Sequence, residues 1–322
     1  MDMSFIIATF IASAVAYSVS LLMGTLGELL TERAGNVNLG VEGMMLLGGA
    51  CGYVAAVRSD SLFVAVLVAS LGAASGALLY AVLTVTLRAN QNVTGLALTT
   101  FGAGLANTLG STAANTNTPQ HITDFFSWHP FALPDPQNSF LRFINIAFLS
   151  HDLFVYIAIV IAIAMYFFLF RTREGLSIRM VGENPAAADA AGISVTRIKY
   201  LYILIGGVLC GLGGLYIPLV LQKTWHEDIT AGKGWIVVAL VIFVRWHPIK
   251  AIGGALVFGA LSIIGMTIQQ FPDLSSMLFF NQYIMDMYPY ILTVIVLIIT
   301  YARKKAWRGP NAIGAAFFRE ER

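Results

Sequence analysis

Charged side chains are scarce in this sequence: Asp, Glu, Lys and Arg make up 11% of its 322 residues, against roughly 25% in an ordinary soluble domain. A water-solvated surface cannot be built at that density, so a free soluble enzyme or binding module is excluded. Cysteine is scarce as well. Cys51 and Cys210 stand alone in apolar stretches without CxxC spacing, which argues against a redox pair or a thiolate metal site and for small packing residues. His121, His129, His151, His226 and His247 are scattered without HxxxH or HExxH spacing, and GxSxG is absent. The one local cluster of acid and base, His226-Glu227-Asp228, has no second cluster to work with and reads as a solvated loop edge. A GxxxxGK[ST] phosphate loop is also missing, and the AGKGW stretch at 231–235 lacks its spacing. Catalysis by this chain, nucleotide hydrolysis included, has no residues to carry it, and neither a cofactor nor a metal is implied.

What the sequence has in quantity is apolar length. Hydrophobic residues make up 57% of the chain and the mean hydropathy is +0.76. These values predict an all-α, polytopic transmembrane bundle. Segments near the roughly 20 residues a bilayer demands run over 5–27, 40–57, 62–87, 92–111, 153–170, 200–221, 251–270 and 287–302. Trp235–Val244 is shorter and reads as a broken or tilted element buried among other helices. The first segment lacks the basic leader of a signal peptide and is kept as a helix. About eight to nine spans result, forming a transmembrane domain over 1–302 with a tail over 303–322.

Orientation follows from Lys and Arg, which collect on the cytoplasmic side. If 171–199 is cytoplasmic, alternation places Arg33, Arg88, Arg245, Lys250 and the tail on the same side. Only Arg58, Arg142, Lys223 and Lys233 of the 19 basic residues then remain outside. Bringing Trp235–Val244 in as a ninth crossing puts the N-terminus outside and the C-terminus inside. The outer side carries one sizeable loop, 112–150, where four prolines forbid a long helix and aromatics suit the membrane interface. It reads either as a loop resting on lipid or as a docking rim. Gly48-x-x-x-Gly52, Gly72-x-x-x-Gly76 and Gly207-x-x-x-Gly211 are spacings that let helix backbones approach closely.

The central interval, 171–199, gathers eight charged residues between two uncharged apolar blocks. Asn184 is placed to cap a helix and Pro185 to open it. The alanines that follow favour helix, and Gly192 is placed to end it. The expected element is a helix of about two turns, roughly 11 Å long. Physical reasoning leaves two uses open: a smooth peg that docks a partner, or an interfacial linker anchored at anionic headgroups.

The stretch VGENPAAADAAGISVTRIKYLYILIGGVLCGLGGLY resembles the cytoplasmic coupling-helix region of ABC importer permeases of the branched-chain amino acid, ribose and nucleoside class. ERAGNVNLGVEGMMLLGG (32–49) is similar to the signature of the nucleoside and simple-sugar members that work with a Bmp-type lipoprotein. RANQNVTGLALTTFGAGL (88–105) and GKGWIVVALVIFVRWHPIKAIGGALVFG (232–259) fit the same class, in matching order. The glutamate that maltose-type permeases carry in their EAA motif is replaced here, Ala186-Ala187-Ala188 leading to Gly192. The resemblance implies an inner-membrane permease that contacts a separate ATPase subunit through Gly182, Glu183, Asn184, Pro185, Ala187, Ala188, Ala191 and Gly192. It also implies a second, paralogous permease subunit, an external substrate-binding lipoprotein and membrane lipid as partners, and no nucleic acid.

A stand-alone secondary carrier or channel is the competing class. Carriers need several ionisable groups inside their spans, and here the spans as drawn offer essentially Glu42. That residue either bonds backbone amides of a break in GNVNLGVEG or faces the substrate. The candidate pathway is otherwise polar and uncharged: Asn36, Asn38, Asn92, Thr94, Thr99, Phe101 and Asn107, with Thr100 and Thr108 nearby. Such residues supply hydrogen bonds and a stacking face for a neutral nucleoside or related sugar. The same residue types also make ordinary interhelical bonds. A branched-chain amino acid, being zwitterionic, is the poorer fit.

Overall fold

The computed structural model describes residues 3–134, 136, 138–269, 281–285, 287–302 and 309–318. Twelve α-helices precede the gap at 270–280: α1 Met3–Arg33, α2 Val41–Ser59, α3 Leu62–Ala81, α4 Gln91–Gly110, α5 Gln120–Ser127, α6 Ser139–Ile144, α7 Leu153–Arg171, α8 Arg173–Glu183, α9 Pro185–Ala190, α10 Val195–Tyr216, α11 Lys233–Phe243 and α12 Pro248–Ile268. The turn α13, Gln282–Met285, and the helix α14, Tyr288–Ala302, follow it. Wider π-turns extend α3 to Thr86, α6 to Leu149 and α10 to Leu221. No strand occurs among the described residues.

Among the described residues, five helices are long and apolar enough to cross a membrane: Met3–Arg33, Leu62–Thr86, Leu153–Arg171, Val195–Leu221 and Pro248–Ile268. The helical membrane bundle is therefore as expected. The helices over the expected spans 40–57 and 92–111, α2 and α4, are not in that group. Neither is α14, at 15 residues. The expected short element is α11, an 11-residue helix of about 16 Å, half of the roughly 30 Å hydrocarbon core. It is too short to cross alone.

The first span departs from expectation. Rather than ending at 27, α1 runs on to Arg33 as a 31-residue helix whose residues from Ser18 onward are all buried. Its core position explains how it can carry charge. It packs against α10, α12, α11 and α7, while α2 packs against α3, α10 and α4. Glycine makes these contacts close. A Cβ on Gly206 would lie 2.6 Å from the Gly27 carbonyl oxygen, and one on Gly102 2.7 Å from the Gly43 Cα. Gly48 and Gly211, from two of the predicted small-residue motifs, face each other with no room for a side chain on either. Large apolar side chains such as Phe63, Leu71, Val160 and Phe167 point outward from α3 and α7, as lipid-facing surface requires.

The two ends of the bundle separate the basic residues. At one end the segment 309–318 lies across α8 and the α1–α2 loop: Ala312 N–H donates to the Gly182 carbonyl, Gly314 N–H to that of Gly35, and Asn311 to Glu183 Oε2. Arg33, Arg88, Arg179 and Trp246 gather there too, Arg33 and Arg179 over the Phe170 ring and Arg88 over that of Phe318. At the other end Tyr53 donates to the Thr116 carbonyl, and Thr118 N–H to that of Lys223. In the loop over 112–150 the prolines permit only short helices, α5 and α6 with its extension. The remaining tail residues, 303–308 and 319–322, fall outside the described residues.

Candidate functional site

Two candidate regions emerge, one at the basic end and one inside the bundle. At the basic end, α9 follows α8, an 11-residue helix the sequence reading did not separate from its surroundings. The expected two-turn helix spans six residues, Pro185–Ala190, about 9 Å. Asn184 Oδ1 accepts from Ala187 N–H at 3.0 Å, the expected cap. At the far end Ile193 N–H donates to Ala188 O and Gly192 N–H to Asp189 O, each at 3.0 Å. That pair of bonds closes the helix on a left-handed residue, and Gly192, at φ +82°, is the residue that can adopt it.

The proposed ATPase-contact residues divide by exposure. Glu183, Asn184, Ala187, Ala191 and Gly192 are exposed, and Pro185 is half-buried. Gly182 and Ala188 are buried. Gly182 lies against the Arg33 carbonyl and Pro310, while Ala188 packs with Val181 and Val195. These two hold α9 in place; the others form its outward surface.

Inside the bundle, α1 and the loop over 34–40 bring together a polar cluster. Asn36 and Asn38 are buried, Asn36 beside the Tyr80 hydroxyl. Asn38 Oδ1 accepts from Gly40 N–H, and Asn38 N–H donates to Glu28 Oε1. Thr99 Oγ1 donates to the Leu39 carbonyl at 2.9 Å, and Gln91 Oε1 accepts from Val37 N–H at 2.8 Å. The loop is thereby pinned to α4, with Thr94 buried beside it.

Glu42 is 7% exposed and heavily bonded. Its Oε1 accepts from Thr230 Oγ1 at 2.5 Å and Gly232 N–H at 2.9 Å, and its Oε2 from Gly234 N–H. It bonds backbone amides, but those at the start of α11 rather than those of its own loop. A carboxylate at a helix N-terminus satisfies amides that have no partner within the helix and meets the positive end of the dipole.

Glu42 is also not the only buried carboxylate. Glu28 and Glu32 are 0% and 3% exposed. Glu28 anchors the Asn38 amide, Glu32 Oε2 accepts from Trp246 Nε1, and Arg33 Nη2 donates to the Trp246 carbonyl at 2.9 Å. Sequence reading missed them by ending the first span at 27. Their spacing at i and i+4 between Leu26, Leu29 and Leu30 was the available signal.

The remaining pathway candidates lie on α4. Asn107 exchanges two hydrogen bonds with Asp228, at 3.1 and 3.2 Å, near the end opposite α9. Asn92 is exposed and Phe101 is 55% exposed. Val93, Ala97, Thr100, Gly104 and Thr108 form one exposed stripe, edged by Leu96, Phe101, Leu105 and Leu109, which are exposed as well. A Cβ on Gly104 would meet nothing within 4 Å. The structure thus brings Asn36, Asn38, Glu42, Thr94 and Thr99 into one interior neighbourhood, and sets Asn92, Phe101 and Asn107 apart from it. His226, Glu227 and Asp228 are exposed, yet Trp225, Ile229 and Thr230 around them are buried. That loop therefore dips into the bundle rather than lying on its surface.

Residues 10–299 match the family described as "Branched-chain amino acid transport system / permease component". The chain is 33% identical to the putative glucose ABC transporter permease protein TsgC13 of Haloferax volcanii over 99% of both chains. It is 31% identical to the guanosine ABC transporter permease protein NupQ of Bacillus subtilis over the full length of both. To the nucleoside ABC transporter permease protein NupC of Lactococcus lactis it is 31% identical over 97% of both. No solved structure matches it. The chain belongs to the family of permease components typified by branched-chain amino acid transport, and is a multi-pass transmembrane permease subunit.

Proposed function

We propose that this chain forms one side of the translocation pathway of an ATP-driven importer, in the inner membrane, for a neutral nucleoside or related simple sugar. The observation that carries this is the exposed stripe of α4. Between exposed Val93, Leu96, Leu105 and Leu109 it sets the Thr100 and Thr108 hydroxyls, Gly104 and Phe101, with no charge anywhere on the helix. Lipid-facing surface favours aliphatic side chains, as α3 and α7 display, so small and polar groups on an exposed membrane helix fit a path or a partner better than lipid. A second, similar permease subunit packed toward this stripe would enclose the path, with Asn92 and Asn107 near its two ends.

The carboxylates leave little for a charged solute. Glu42 is occupied at both oxygens by α11 and Thr230, and Glu28 and Glu32 tie the α1–α2 loop and Trp246 to α1. A zwitterion stripped of water needs compensation for two charges, and α4 offers none. The nucleoside and sugar permeases to which the chain is similar over nearly its whole length support the same substrate class. The branched-chain amino acid of the family's description is the second reading.

Ala187 on α9 and the exposed residues at its two ends, Glu183, Asn184, Ala191 and Gly192, would form the contact with a separate cytoplasmic ATPase, and an external binding lipoprotein would deliver the solute. The domain division proposed is 1–302 for the permease and 303–322 for a cytoplasmic tail. Uptake of labelled adenosine, uridine, ribose and leucine, compared in cells with and without this chain, tests the substrate class. Nucleoside uptake is expected to depend on the chain. Loss of leucine uptake alone would overturn the reading.

A further inference from the structure

A cavity at the basic end has no part in the pathway proposed above. It measures about 510 Å³ and lies between the end of α3, the α9–α10 turn and the segment 309–318. Thr84, Thr86, Arg88, Ser194, Lys199 and Phe317 line it, together with the turn at Gly192 and Ile193.

Lys199 is the feature that demands explanation. It is the fifth residue of α10, is 4% exposed, and has no hydrogen-bond or ion-pair partner among the described residues. A buried cation without a counter-charge is costly, and a leucine or methionine would fill the same volume without that cost. Three other features of the lining point the same way. The Ser194 side chain makes no cap bond, so the first amides of α10 remain directed along the positive end of a 22-residue helix. The Arg88 guanidinium sits 4.5 Å from the Phe318 ring centre at the rim. Thr86 adds a hydroxyl, shared with Tyr200, while the neighbouring Thr84 hydroxyl is donated to the Tyr80 carbonyl. Asp189 is the one acid in the lining, and it has a partner of its own.

We propose that this cavity binds a phosphate-ester anion, with Lys199 as its central counter-charge and Arg88 and the α10 N-terminus as further donors. The volume is far larger than a halide needs. Ammonium, guanidinium, hydroxyl and open amide donors around one space suit an anion with several oxygens. The phosphodiester of an anionic lipid is one source of that chemistry: Val82, Leu87 and Leu201 lie exposed beside the cavity, where acyl chains would run. A free phosphate ester is the other. Because α9 residue Asp189 and the Gly192 turn form one wall, an occupant would brace the ATPase-contact helix against α3. None of this rests on the substrate proposed above.

The test uses the full chain purified in a neutral detergent. Binding of inorganic phosphate, short-chain phosphatidylglycerol and short-chain phosphatidylcholine is measured by titration calorimetry. The variants are Lys199→Met, Arg88→Gln and, at the other end of the bundle, Arg58→Gln. Saturable binding of phosphate or phosphatidylglycerol is expected, weakened at least tenfold by Lys199→Met and by Arg88→Gln and unchanged by Arg58→Gln. Binding of phosphate itself assigns a free ester; binding of phosphatidylglycerol alone assigns the lipid. If Lys199→Met does not yield monodisperse protein, Arg88→Gln decides. Absence of binding by both anionic probes to the folded chain, equal binding of phosphatidylcholine, or undiminished affinity in the variants would overturn the proposal. So would an ATPase carboxylate cross-linking to Lys199 in the assembled complex.

Discussion

At the residue scale, buried carboxylates act here as fasteners between segments. Glu42 holds the start of α11 through two amides and the Thr230 hydroxyl. Hydrogen bonds to a charged group contribute about 1.5–3 kcal/mol each, and an orphaned buried donor costs about as much again. Glu42→Ala is therefore expected to lower stability by about 3 kcal/mol or more. Glu42→Gln, which keeps one acceptor oxygen but turns an amide NH2 toward a backbone N–H, should fall between it and wild type. Thermal unfolding in detergent reads both. Losses below about 1 kcal/mol in each would mean that α11 is held by packing alone. Glu28 and Glu32 belong to the same logic, since the loop over 34–40 has no regular structure and takes its bonds from Glu28, Gln91 and Thr99.

At the element scale, α9 is short, capped at both ends, and fixed from beneath by Ala188 while Ala187 faces out. Ala187→Arg should leave folding intact, because alanine and arginine differ little in helix propensity and the site is exposed. It should weaken association with the ATPase at least tenfold in a pull-down of the assembled complex. Ala188→Arg should instead reduce the amount of folded chain, since added volume at a fully packed position is not accommodated. Wild-type association in the first variant would remove α9 from the contact. This helix was largely legible in advance, because Asn184, Pro185 and Gly192 are local signals that specify their own backbone. The end of α1 was not. Charge at Glu28, Glu32 and Arg33 mimics a membrane boundary, and only tertiary packing against α10 and Trp246 turns it into core. Nor was the identity of the Glu42 partners legible, because Thr230 and Gly232 lie far away in sequence. The stripe on α4 was visible as residue types, but its exposure depends on what α2 and α3 leave uncovered.

At the scale of the whole molecule, basic residues gather at the end that carries α8, α9 and 309–318, and the outer loop lies at the other. This distribution gives the orientation proposed above a direct check. In a background with Cys51 and Cys210 replaced by serine, A187C and W128C are treated with a membrane-impermeant thiol reagent on intact cells. Labelling at position 128 and not at 187 is expected; the reverse would invert the bundle. Glu42 is bonded at both oxygens, and Glu28 and Glu32 each hold a neighbouring segment through one oxygen, so the proposal is that transport draws on ATP hydrolysed by a partner rather than on an ion gradient. Proteoliposomes containing this chain, its permease and ATPase partners and the binding lipoprotein should be loaded with ATP or left empty, with a proton or sodium gradient imposed or collapsed by ionophore. Uridine uptake that requires ATP, survives the ionophore and vanishes when this chain is omitted is the predicted result. Uptake driven by the ion gradient without ATP would contradict it.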